Sequence, residues 1–550
     1  MNNWRFTFII TVFFLIMAGV WARLVYWQVF AADDLRQQAA DQRLTIVEMP
    51  GTRGEILASD GFPLAANRLN YLLWANPKQN VWNSKWDEIS RLLPASDSAK
   101  LSEKLSWTNL SWVALSSQIS PQIKDLIEKM DLEGVGFDPR PVRFYPEGSS
   151  SAHLLGFVGQ DAGGTAKGYF GLEGYYDRKL AGRGGKVILE TDAFGHPIVI
   201  SGQNLFPAVD GQQVQTSIDR TLQFILANQL TTGLAKYQAK SGTITVMEPF
   251  SGRVLAMVSL PNYDPDHYQQ VDDAQVYKNP VVSEFYEPGS TFKVVTMASA
   301  LDAGVVTPDT KCPICKGPVP VAEYTIRTWN DKYFPDSTLT DVIVHSDNVG
   351  MVYVSQKLGR DTQLEYLHRF GLGAPTGIDL QDETSPVFRP DRNWTEVDLA
   401  TTAFGQGIAV TPIQMLRSVA AIAAGGKLPN PKLGADGGES QRVVSETAAA
   451  QVTQMMIKAV ENGEAKWAKP AGYTIAGKTG TAQIPVAGHY DKDQTIASFV
   501  GFAPAFSPQF VMLVTLNQPQ TSPWGSETAA PLWFSVAREL FRYYKIGPDR

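Results

Sequence analysis

Pro288-Gly-Ser290-Thr-Phe-Lys293-Val-Val-Thr-Met-Ala-Ser-Ala-Leu301 is the stretch on which the reading of this chain turns. Pro288 and Gly289 break the preceding segment. Phe292, Val294, Val295, Met297, Ala298, Ala300 and Leu301 then place apolar groups nearly all round a helix, the pattern of a helix buried on every side. Gly304 stops it. Ser290 therefore opens a helix, where unpaired N–H groups and the dipole favour negative charge. Lys293 follows one turn later on the same face. A serine hydroxyl is a weak nucleophile without an adjacent base, and a lysine in a water-poor site loses its proton readily enough to be one. A helix cap followed by a surface lysine is the plain alternative, but a lysine inside so apolar a helix is costly.

Two more motifs follow in order. Ser346-Asp347-Asn348 lies between the apolar runs Val342 to Val344 and Val349 to Val354. A hydroxyl and an amide projecting from a tight inter-helical turn can relay a proton and hold a substrate amide. Lys478-Thr479-Gly480 follows the strand-like Tyr473-Thr-Ile-Ala476. Gly480 on a strand edge lets a peptide backbone approach and pair, while Lys478 and Thr479 offer a cation and a hydroxyl to a carboxylate. Each motif alone is weak. In this order they are S-x-x-K, S-D-N and K-T-G, a serine acyl-transfer site built without histidine. Gly472 to Thr479 also satisfies the phosphate-loop pattern, but Lys466 to Pro470 do not form the preceding buried strand and Pro485 blocks the helix that should follow.

The chain has 550 residues and a formal net charge of −7, which imply two or three domains and argue against a nucleic-acid partner. Phe6 to Ala22 carries no charge, with Arg5 before it and Arg23 after. That is long enough for a membrane span and longer than the apolar core of a signal peptide. Arg5 then stays inside. The expected layout is a cytoplasmic tail over 1–5, a single span over 6–28, a non-catalytic pedestal over 33–210 and a catalytic domain over 211–550. Most of the chain is then extracytoplasmic. Asp33 to Gln42 reads as a helical stalk, and 168–185 as a loop-rich segment. Thr216 or Ser217 is expected to cap a helix from about Arg220 to Tyr237. Strands at 242–247, 253–259, 496–502 and 510–516, with helices at 290–303, 349–358, 412–424, 446–461 and 530–544, predict an α+β fold with one antiparallel sheet flanked by helices. Cys312 and Cys315 are too few for a zinc site; in an oxidising compartment a local disulfide is expected.

The chain resembles the class B high-molecular-weight penicillin-binding proteins, the transpeptidases of peptidoglycan synthesis. Glu287 to Lys293, Phe404-Gly-Gln-Gly-Ile408 with Thr411-Pro-Ile-Gln414, and Lys478 to Gln483 look like the family's extended motifs; Arg53-Gly-Glu-Ile-Leu57 and Gly171-Leu-Glu-Gly174 look like those of its pedestal. Ala58-Ser-Asp-Gly61 departs from the family's Asp-Arg-Asn-Gly. Asn348, where the elongation branch usually has aspartate, favours the cell-division branch of the FtsI type. The resemblance implies that Ser290 attacks a D-Ala-D-Ala stem peptide or a β-lactam, that Lys293 takes its proton, and that Ser346 with Lys478 returns one to the leaving group. It assigns Asn348 to the same catalytic set and Thr479, Gly480 and Thr481 to substrate binding, with the N–H groups of Ser290 and Thr481 as oxyanion hole. No metal or organic cofactor is implied. The implied setting is the inner membrane, with an FtsW-type polymerase as partner, reached through the pedestal and through the span with its Thr7, Thr11, Leu15, Gly19 stripe. A membrane-anchored β-lactam sensor or a β-lactamase-type hydrolase would share the triad. The hydrolase reading lacks the class A glutamate, since no Glu between Asn348 and Lys478 has Asn four residues later.

Overall fold

The computed structural model describes residues 3–49, 51–80, 84–190, 204–389, 393–486 and 489–549. They group into two units, Met1–Arg53 with Ala181–Gly211, and Gly54–Leu180 with Gln212–Arg550.

In the first unit a helix, Trp4–Val25, runs through a wider π-type turn, Tyr26–Phe30, into a second helix, Ala32–Arg43. Within the 27 residues Trp4–Phe30 an 18-residue window reaches a mean hydropathy of 2.3, and the helix buries nothing within the fold. At about 1.5 Å per residue they are long enough to cross a hydrocarbon layer of roughly 30 Å. Thr7 Oγ1 donates to Asn3 O at 3.1 Å and Thr11 Oγ1 to Thr7 O at 2.8 Å, so both hydroxyls are satisfied inside their own helix. An antiparallel three-stranded sheet follows, with Gly185–Glu190 between Leu44–Met49 and Asn204–Phe206.

The second unit is built on a five-stranded antiparallel sheet ordered Val254–Leu260, Ser241–Met247, Phe510–Asn517, His489–Ala503, Ala476–Val486. Val, Phe and Met residues on both faces keep the strands between two helical layers. On one face, helices Arg220–Tyr237 and Ala529–Tyr543 bury Leu226, Leu230, Trp533 and Phe534 against Phe499 and Phe510. On the other, helices Lys293–Asp302, Pro412–Ala423 and Glu446–Asn462 share a core with Phe502, Val511 and Leu513. Helix Arg220–Tyr237 is capped by Asp219, whose carboxylate accepts from Leu222 N at 3.1 Å. Thr216 and Ser217, the expected caps, instead donate to Leu57 O and Val254 O. Strand Ala476–Val486 begins three residues later than expected, so Tyr473 to Ile475 only lead into it.

Residues 54–180 belong to the same unit. Strand Pro63–Ala75 pairs with Val113–Ile119 and Val135–Phe144. The Gly54-to-Leu57 motif is a joint: Ile56–Leu57 pairs antiparallel with Pro63–Ala75 and runs parallel to Val214–Gln215. Residues 166–180 are more regular than a loop, with strand Ala166–Tyr169 and helices Gly171–Tyr175 and Asp177–Leu180. Glu173 in that segment is fully buried and accepts from Arg143 Nε at 2.6 Å. Tyr176 donates to Asp379 Oδ2 at 2.6 Å, and Asp379 also accepts from Leu433 N and Gly434 N. Cys312 and Cys315, both buried, form a disulfide.

Candidate active site

Gly289–Phe292 is a single 3-10 turn that passes into helix Lys293–Asp302. Ser290 is half-buried at its start, and Lys293 is 0% exposed. Two glycines set the turn against its neighbour. Gly289 donates to Gly405 O at 3.0 Å, and both have positive φ, 53° and 80°. A Cβ on Gly405 would overlap Gly289 O, so the chains approach this closely only without one. Glu287 accepts from Gly407 N at 3.0 Å and Tyr286 bridges Val410. Thr411 and Gln414 form a reciprocal capping box at the head of helix Pro412–Ala423. The Glu287-to-Lys293 and Phe404-to-Gln414 motifs are therefore one structural piece.

Ser346 and Asn348 come from the turn between helices Leu339–Val344 and Asn348–Leu358. Ser346 has φ 56°, in the left-handed region. Asp347 Oδ1 caps the second helix by accepting from Val349 N and Gly350 N, at 2.8 and 3.3 Å. That cap turns Ser346 and Asn348 inward. Lys293 Nζ donates to Ser346 O at 2.6 Å and Asn348 Oδ1 at 2.8 Å, and lies 3.3 Å from Ser346 Oγ. Asn348 Nδ2 donates to Arg327 O at 3.0 Å, which fixes the amide with its oxygen toward the lysine.

Lys478, Thr479, Gly480 and Thr481 lie on the edge strand, opposite Val500, Phe499, Ser498 and Ala497. Lys478 Nζ donates to Ser346 Oγ at 3.1 Å and to Thr479 O at 3.2 Å. A Cβ on Gly480 would stand 2.5 Å from Ser498 Oγ and 2.8 Å from Thr291 Cγ2, so only glycine lets the strand lie this near the Ser290 turn. Thr481 Oγ1 accepts from Gly525 N at 2.9 Å.

The fold thus brings together all eight residues singled out in the sequence, with Ser346 Oγ between two buried amines. Burial, and the neighbouring cation of Lys478, hold Lys293 well below the usual lysine range, with Asp347 and Glu464 opposing. Burial lowers Lys478 to about 8, against the pull of Glu464. Burial also raises the Asp347 carboxyl. Such a pair can hold one amine neutral and the other protonated near neutral pH. Sequence reasoning missed Glu464, Trp329 and Gly525, which carry no motif and lie more than ten residues from the nearest one or in a loop after the last strand.

A family model described as the penicillin binding protein transpeptidase domain matches residues 242–541, and one described as the penicillin-binding protein dimerisation domain matches 48–216. Stage V sporulation protein D of Bacillus subtilis is 32% identical, over 96% of this chain and 84% of its own length. Peptidoglycan D,D-transpeptidase FtsI of Escherichia coli is 28% identical, over 100% of this chain and 93% of its own. The crystal structure of penicillin binding protein 2X from Streptococcus thermophilus superposes with a TM-score of 0.76 at 25% identity, covering 90% of this chain and 80% of that one.

Proposed function

The chain belongs to the penicillin-binding-protein transpeptidases, enzymes that act on peptidoglycan stem peptides and bind β-lactams, and we propose that it cross-links stem peptides through an acyl-enzyme on Ser290. The observation that carries this reading is the hydrogen-bonding of Lys293. Two carbonyl oxygens, of Ser346 and Asn348, take its N–H groups. A neutral amine has only two, and its lone pair is left for a hydroxyl proton, with Ser346 Oγ a third and longer neighbour at 3.3 Å. Ser290, one turn earlier on the same face, supplies that proton as its Oγ attacks the carbonyl of the terminal D-Ala-D-Ala bond. The N–H groups of Ser290 and Thr481 receive the oxyanion, each donor contributing about 3 kcal/mol. The C–N bond then breaks. Ser346 Oγ, 3.1 Å from the Lys478 ammonium, passes a proton to the departing amine. Thr479 and Thr481 hold the substrate carboxylate, and Gly480 leaves the strand edge open to the peptide backbone. An acceptor amine from a second stem peptide attacks the ester, releases the cross-linked peptide and returns the proton to Ser290.

The apolar helix Trp4–Phe30 supports a single-pass anchor in the inner membrane, with 33–210 as pedestal and 211–550 as the extracytoplasmic catalytic domain. Asn348 and the FtsI relative support a role in division, with an FtsW-type polymerase as the partner docked by the helix. With Thr7 and Thr11 bonded back to their own helix, that contact rests on close packing at small residues such as Gly19 rather than on shared hydrogen bonds.

Intact-mass analysis after incubation with a fluorescent penicillin tests the chemistry. One adduct is expected, mapped to the peptide carrying Ser290 and missing in Ser290→Ala. An adduct that survives in that variant overturns the assignment.

A further inference from the structure

Glu464 stands just past helix Glu446–Asn462 and belongs to none of the three motifs. It lines one small cavity with Ser346, Lys478 and Thr479, floored by Phe499. Its outer side is in solvent, while burial of the rest raises its carboxyl, with Lys478, Lys293 and His345 opposing. Trp329 packs edge-on against Trp524 at 4.8 Å, and the next residue, Gly525, donates to Thr481 Oγ1. A carboxylate thus stands at the edge of the site, in the same cavity as a buried ammonium whose direct partners, Ser346 Oγ, Thr479 O and Thr479 Oγ1, are all neutral.

Acyl transfer needs one of the two lysines without its proton and the other with it. Two buried amines that share Ser346 Oγ do not settle that division by themselves. Lys293 lies on helix Lys293–Asp302, and the turn after Leu339–Val344 contributes His345 and Asp347. Asp347 acts on Lys293 and already accepts two backbone N–H groups. Glu464 is the charge acting on Lys478. We propose that Glu464 is a positioning residue for the acyl transfer, its carboxylate keeping the proton on Lys478 while Lys293 remains free to take the one from Ser290. The inference rests on the Ser290 reading above. It is supported by the electrostatics: Glu464 opposes the burial that lowers Lys478, whereas on Lys293 it acts more weakly than Asp347.

The test is the acylation rate with a fluorescent penicillin from pH 6 to 10, on the full-length protein in detergent, for wild type, Glu464→Gln and Glu464→Asp. Removing the negative charge makes Lys478 lose its proton at lower pH. The alkaline fall-off of the rate is therefore expected to move down by about one pH unit in Glu464→Gln and to be partly restored in Glu464→Asp. An alkaline limb that stays in place overturns the proposal, whatever the height of the profile. So does a loss at every pH shared by Glu464→Asp, since a structural role alone produces that. A wild-type protein that is not acylated, or a Ser290→Ala variant that is, defeats the underlying reading instead.

Discussion

Arg143 with Glu173, and Lys293 with Lys478, are two buried charged pairs handled in opposite ways. Among residues 54–180 the guanidinium meets a carboxylate at 2.6 Å, with the two side chains 5% and 0% exposed, and Arg143 also donates to Asn67 Oδ1 at 3.2 Å. Desolvation is offset there by the opposite charge, and the result is a fixed joint. At the active site two amines are buried on either side of Ser346 Oγ with neutral atoms as direct partners. Desolvation there is offset by letting a proton go. The first arrangement stabilises a shape; the second gives up stability to obtain a base.

The difference can be broken by removing one member of each pair. Lys293→Ala has the largest expected effect. Penicillin acylation falls by roughly 10²–10⁴-fold, the usual contribution of a positioned base, while thermal denaturation shows no loss of stability. A variant that is destabilised yet still acylates at the wild-type rate would place Lys293 with the structural charges. Glu173→Gln is expected to do the reverse. It leaves a buried guanidinium unpaired, lowers stability by about 3–5 kcal/mol, and leaves the acylation rate of the still-folded protein near wild type. Chemical denaturation beside a labelling time course reads both quantities.

Lys478→Met sharpens the comparison through pH, with the smallest expected effect. The unfolded chain holds the Lys478 proton up to the ordinary lysine range, whereas the folded chain releases it from about 8. The unfolded state therefore binds more protons between those values, and this residue makes stability rise with pH there. Below about pH 8 the full penalty applies, up to about 3 kcal/mol from the size of the shift, less what the lost hydrogen bonds return. Lys478→Met is expected to melt higher than wild type at pH 7, with the gap closing toward pH 10. A gap that does not change with pH would mean that Lys478 is not strained by its burial.

The legibility of the two regions in the sequence differs for the same reason. The catalytic set is short-range: Ser290 and Lys293 are one helical turn apart, Ser346 and Asn348 flank one capping residue, and Lys478 to Thr481 share one strand. Local spacing dictates those relations, so order and motif carried them. The cap of helix Arg220–Tyr237 was misplaced because Thr216 and Ser217 are as good caps as Asp219 in isolation. What removed them from contention was bonding to Leu57 and Val254, far away in sequence. Tyr473 to Ile475 have strand-like side chains but lack ladder partners before Ala476 pairs with Phe502. Nothing in Glu173 or Arg143 announced a pair thirty residues apart.

The sequence by itself determined the chemistry on offer: a serine at the head of an apolar helix, a lysine one turn on, a polar turn, a cationic strand edge, and an apolar helix at the N-terminus long enough for a membrane. These are properties of neighbours a few residues apart, governed by helix and strand periodicity. Tertiary structure alone decided the electrostatics. It set Ser346 Oγ between two amines from elements more than 180 residues apart, packed Gly289 on Gly405, tied Glu173 to Arg143, and brought Glu464 to the cavity beside Lys478. Desolvation and charge–charge distance are set by what the whole fold packs around a group, and no local pattern encodes them.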